Sequence, residues 1–142
     1  MKKSILILFC VLLLSSCAKD YYVSYQAGSS NAGKLILKPS KPSAKTYVAI
    51  NDRLVVEKKP VKSVTIDNIP VGSHTVHYYS DYNWYKENLD TRFSVNMANN
   101  GELNMGVDIP PYNAVYWIGN GMAVLISSLV FISAISRASS LQ

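Results

Sequence analysis

The sequence predicts a mainly β protein: a small antiparallel β-sandwich between an N-terminal signal helix and a C-terminal apolar helix expected to span a membrane. Three observations predict it. Between Lys34 and Pro110, short runs of β-branched and aromatic residues alternate with turn residues, and no helical period interrupts them. The first sixteen residues have the layout of an export signal. An uncharged stretch from Trp117 to Ile135 has the length of a spanning helix. These divide the chain into a signal (residues 1–16), a flexible tether (17–33), a sandwich domain (34–110) and a membrane-associated helix (116–136).

In the signal, Lys2 and Lys3 supply positive charge ahead of an apolar run from Ser4 to Leu14. That run is about half of the roughly 20 residues a spanning helix needs. It therefore predicts export rather than a permanent anchor. Leu14-Ser15-Ser16-Cys17 closes it and resembles the bacterial lipobox. The resemblance implies that Leu14, Ser15 and Ser16 form the cleavage context. It also implies that the Cys17 thiol carries a diacylglycerol and that the new amino terminus is acylated. Two or more acyl chains anchor a protein stably where one does so only marginally.

Charge and cysteine content narrow the function classes. The formal charge of +5 falls to +3 once Lys2 and Lys3 leave with the signal. The remaining lysines are scattered, so no nucleic-acid partner is expected. The second cysteine, Cys10, lies within the signal, which leaves the mature chain with no disulfide. Residues 18–33 are rich in glycine, serine and asparagine toward their end, the composition of a spacer. Tyr21, Tyr22 and Tyr25 interrupt it, suited either to lipid headgroups or to packing on the domain.

The strands follow in order. Leu35-Ile36-Leu37 ends at Pro39. Tyr47-Val48-Ala49-Ile50 runs into the turn pair Asn51-Asp52, and Leu54-Val55-Val56 emerges from it as the partner of a hairpin. Lys58-Lys59-Pro60 predicts a break. Val64, Ile66 and Ile69 lead to the turn Pro70-Val71-Gly72, then to the strand Thr75-Val76-His77-Tyr78-Tyr79. Phe93, Val95 and Met97 alternate with polar residues before Asn99-Asn100-Gly101, and Leu103, Met105, Val107 and Ile109 alternate after it. This last pair predicts the cleanest hairpin of the chain.

Residues 34–81 resemble a PEGA-type domain, a small β-sandwich module of bacterial envelope proteins. The resemblance rests on the strand before Pro39, on the strand and turn from Thr46 to Asn51, and on Ile69-Pro70-Val71-Gly72-Ser73-His74-Thr75-Val76. It implies a fold and is silent about activity, which has to be argued from a site.

At the other end, Tyr112, Tyr116 and Trp117 stand where an interfacial aromatic belt would, and Arg137 is the sole charge of the tail. Gly119, Asn120, Gly121 and the serines dilute the stretch, so a re-entrant or surface-lying helix and an oligomer contact are the alternatives. Trp117-Ile118-Gly119-Asn120 resembles the start of the apolar tails of small envelope lipoproteins. A spanning helix implies the inner membrane. Ala18, in place of the aspartate that retains lipoproteins there, resembles an outer-membrane address.

His74 and His77, three apart on a strand, point to opposite faces and form no joint metal site. Asp52, Asp67 and Asp81 lack ligand spacing, and no nucleophile elbow or phosphate loop occurs. No enzymatic activity, metal or cofactor is expected. The candidate binding surface lies in Tyr78-Tyr79-Ser80-Asp81-Tyr82-Asn83-Trp84-Tyr85, with Tyr79, Tyr82, Trp84 and Tyr85 as contacts. Such rings give large contact area at low entropic cost, and equally they can fill a core and cap its edge. The expected function is a membrane-anchored envelope lipoprotein acting as an adaptor or accessory binding module, its partners the membrane and an envelope protein. The alternative is an immunity or exclusion lipoprotein that blocks a toxin or phage at the membrane.

Overall fold

The computed structural model describes residues 18–27 and 31–139. Leu14, Ser15, Ser16 and Cys17, with the signal helix, lie outside the described residues. The chain forms two compact units. The first holds the sheet and comprises residues up to Tyr82 and 88–109; the second comprises residues 83–87 and those from Pro110 on.

The sheet unit is built from seven strands: β1 (Lys19–Ser24), β2 (Ala32–Pro39), β3 (Ser43–Ile50), β4 (Arg53–Pro70), β5 (Gly72–Ser80), β6 (Leu89–Met97) and β7 (Glu102–Val107). They form one hydrogen-bonded network in the order β6-β5-β3-β4-β2-β7, with β1 added beside β4. The two ends of that order, β6 and β7, approach each other, so the sheet nearly closes on itself. Closure of this kind limits exposed edges. The fold is mainly β, as the residue pattern predicts.

The pairing is mixed rather than purely antiparallel. β1 runs parallel to β4 and β2 runs parallel to β7. The hairpin expected across Asn99-Asn100-Gly101 does not form: β6 pairs along its whole length with β5, while β7 joins β2. The turn itself is real, with Asn100 at a φ of 53°. Its Gly101 carbonyl accepts the Lys34 N–H at 2.8 Å and the Asn100 N–H donates to Ala32 at 3.0 Å, which ties the turn to β2. Gly33 permits this approach. A Cβ there would lie 2.6 Å from Met97 Cε and 3.0 Å from the carbonyl oxygens of Ala98 and Gly101.

Within the expected tether, Lys19–Ser24 is a strand. Its register runs Tyr21 to Val64, Tyr22 to Thr65 and Val23 to Ile66. On β4's other edge the same three residues face Leu37, Ile36 and Leu35. The central residues of β4 are therefore paired on both sides, and a half-polar segment gains ladder bonds that its composition does not advertise. Nor does Lys58-Lys59-Pro60 break the chain. β4 continues through it, with Lys58 at a φ of 50° and register shifts in the β3 ladder on either side of Thr46. A strand proline is accommodated at such irregularities because it has no N–H to donate.

The β3–β4 hairpin is the one the residues predict. Asn51 and Asp52 have φ of 47° and 63° between the paired Ile50 and Arg53. Two central residues with positive φ match the right-handed twist of the flanking strands. Inward positions of the sheet form the core: Leu35, Leu37, Val48, Ile50, Val64, Ile66, Ile69, Val76 and Tyr78 are fully buried. Burying each such aliphatic side chain contributes about 1.5–3 kcal/mol.

The second unit carries helix α1 (Ala114–Ser139). Among the described residues no helix is long and apolar enough to cross a membrane, which corrects the expected span from Trp117 to Ile135. Gly119, Asn120 and Gly121 follow one another, and Ser127 and Ser128 turn their hydroxyls back onto the Ala123 and Val124 carbonyls. The apolar side chains between them, including Ile118, Val124, Leu125 and Leu129, are exposed.

Candidate functional site

The aromatic run from Tyr78 to Tyr85 is contiguous in sequence and divided in structure. Tyr79 and Tyr82 belong to the sheet unit; Trp84 and Tyr85 belong to the helical one. The four predicted contacts are thus divided between the two units. Each unit has its own aromatic group, and Tyr82 is half-buried with its N–H donated to Ser80 Oγ at 3.2 Å.

On the sheet, β5 alternates. Val76 and Tyr78 point into the core, so His77 and Tyr79 share the outward face. Tyr47 of β3 is the cross-strand partner of Tyr79. The two rings stack with centroids 4.8 Å apart and planes 5° from parallel, and His77 stacks on the other side of Tyr79 at 4.5 Å. A carboxylate closes each end of this row. Tyr47 donates its phenol hydrogen to Asp81 at 3.2 Å, and His77 Nε2 donates to Asp90 at 2.8 Å. Desolvation, then the hydrogen bond to Asp81 and that carboxylate's charge, raise the Tyr47 phenol above its ordinary value.

The row thus presents ring edges, a phenol and two exposed carboxylates from three neighbouring strands. Its chemistry suits a ligand rich in hydrogen-bond donors, such as a polyol or a basic peptide segment. Tyr47, His77 and Asp90 were not among the predicted contacts. Period-two alternation places Tyr47 beside a buried Val48 and would have found it, whereas Asp90 arrives only through the β5–β6 register.

His74 faces the opposite way and is buried. Asn51 Nδ2 donates to its Nδ1 at 2.9 Å, and its Nε2 donates to the Pro70 carbonyl at 2.8 Å. Tyr25, beyond the end of β1, packs edge-on against this ring at 6.4 Å, with the Arg53 guanidinium 5.2 Å from the tyrosine centroid. Of the three tether tyrosines, Tyr25 packs on the domain and Tyr22 is exposed. Among the described residues no group of three or more His, Cys, Asp or Glu is placed to hold a metal.

In the second unit, Asn113 organises the start of α1. Its Oδ1 accepts the Tyr116 N–H at 2.9 Å, an N-cap at the third helical residue. Its own N–H and its Nδ2 donate to the carbonyls of Trp84 and Asn83. Around this cap the rings pack. Tyr85 is buried and stacks on Tyr112 at 5.6 Å, Tyr112 stacks on Tyr116 at 4.0 Å, and Trp84 and Trp117 meet Tyr116 edge-on.

No protein-family model matches this sequence, and no curated protein matches it either.

Proposed function

We propose that the chain is a non-enzymatic, membrane-anchored cell-envelope lipoprotein whose β domain serves as an adaptor or accessory binding module. The observation that carries the binding role is the outward row of Tyr47, Tyr79 and His77 closed by Asp81 and Asp90. Rigid rings on adjacent strands lose little entropy on binding, and the carboxylates add specificity for donor groups. Leu14-Ser15-Ser16-Cys17 supports the lipid anchor, and Ala18 after it supports an outer-membrane address. The exposed apolar side chains of α1, with Trp84, Tyr112, Tyr116 and Trp117 at its start, support a helix lying against the membrane. The PEGA-type resemblance of residues 34–81 belongs to the same proposal, as the lineage of the sheet.

Two measurements test it. Radioactive palmitate should label the wild-type protein and not Cys17→Ser. Label on the variant, or none on the wild type, overturns the lipoprotein reading. Crosslinking from native membranes should capture an envelope protein with the wild type and lose it with Asp81→Ala/Asp90→Ala. Equal capture by both overturns the assignment of the row.

A further inference from the structure

We infer that the end of the sheet around Lys19, Lys38 and Lys62 docks on anionic phospholipid headgroups of the leaflet holding the Cys17 acyl chains; this rests on the lipoprotein reading above. Register brings these lysines together from three strands. Lys19 of β1 faces Val61 of β4, Asp20 faces Ser63, and Lys62 lies between those two β4 positions. Lys38 follows Leu37, the residue of β2 that faces Val64. A surface depression at this end is lined by Asp20, Lys38, Ser40, Lys41, Lys62 and Ser63. Lys19, Lys38 and Lys62 are exposed, and Lys41 is half-buried.

Two carboxylates stand among them. Asp20 accepts the Ser63 hydroxyl at 2.6 Å. Asp108 sits between Val107, whose carbonyl accepts the Ser40 N–H, and Ile109, whose N–H donates to Ser40 Oγ. Four lysines therefore face two acids, and the end is net positive.

The position of the anchor supplies the occupant. Cys17 stands two residues ahead of Lys19, and two residues of chain reach at most about 7 Å. A cysteine acylated in the membrane brings Lys19 within about one Debye length, 8 Å at physiological salt, of the headgroups. Because β1 is paired to β4 rather than free, the whole lysine-bearing end is carried there with it. Basic residues so close to an anionic surface each strengthen binding about fivefold.

The test uses the full acylated protein, reconstituted into phosphatidylcholine vesicles with or without phosphatidylglycerol. Amine-labelling rates are read lysine by lysine by mass spectrometry. Lys19, Lys38 and Lys62 should label about fivefold more slowly when phosphatidylglycerol is present, and high salt should remove the difference. Lys34, toward the other end of β2 and about 13 Å along the strand from Lys38, should label equally in both. Equal rates at all four lysines overturn the inference. So does equal slowing by inorganic phosphate in detergent without vesicles, which marks a free-anion site. Intact mass keeps the two proposals apart. Acylated protein with unprotected lysines overturns this inference alone, and protein without acyl chains overturns the lipoprotein reading and this with it.

Discussion

Tyr47 and Tyr79 face each other across the β3–β5 ladder with ring planes only 5° from parallel. The stack holds the Tyr47 phenol where it can donate to Asp81. Tyr47 could not take this position if β3 slipped by one residue, because it would then exchange faces with the buried Val48.

The first prediction concerns pH. The folded Tyr47 phenol ionises above the ordinary tyrosine value of about 10. The protonated ring's contribution to stability is complete below that value and is lost as pH rises through the higher folded one. Ring resonances of Tyr47 followed by NMR should titrate late in the wild type. In Asp81→Ala they should move back toward the ordinary range. An unchanged midpoint in the variant rules out Asp81 as a cause.

A second prediction concerns the turn. Asn51 holds a positive φ, donates to His74, and accepts the Thr75 N–H at 3.0 Å. Asn51→Ala should cost about 1–3 kcal/mol in urea unfolding, through strain and the buried His74 ring left without its partner. Asn51→Gly relieves the strain and should recover only part of that loss.

Gly33 supplies a third. Gly33→Ala should destabilise the sheet by about 1–3 kcal/mol. Trimming Met97 in the same chain should not restore it. The thioether can move aside, but the Ala98 and Gly101 carbonyls are backbone and stay 3.0 Å from the new Cβ.

The fourth concerns the helix start. Asn113→Ala removes the cap, worth about 1 kcal/mol, and one bond to residues 83–87. Amide exchange should quicken at Tyr116. Asn113→Asp keeps the acceptor, so protection at Tyr116 should survive.

Much of the fold is legible locally. Asn51-Asp52 needs only positive φ at two residues and a β-branched or aliphatic run on each side, and the hairpin follows. Alternation along residues 74–79 puts His74 and His77 on opposite faces, as the structure has them. The apolar composition of the stretch from Trp117 to Ile135 announces a helix without saying what it rests on.

Partner choice is another matter. The pattern around Asn99-Asn100-Gly101 located the turn correctly, yet β6 pairs with β5 and β7 with β2, because pairing energy depends on which edges closure of the sheet leaves available. Lys19–Ser24 has too few apolar residues to proclaim a strand and becomes one because β4 offers it a free edge. Asp90 joins Tyr47 and Tyr79 by register alone. The sequence by itself determined what each segment can do: turn, alternate faces and form a helix. Only the tertiary structure decided which segments meet, since strand pairing joins residues far apart in the chain, and no local pattern encodes the edge they will share.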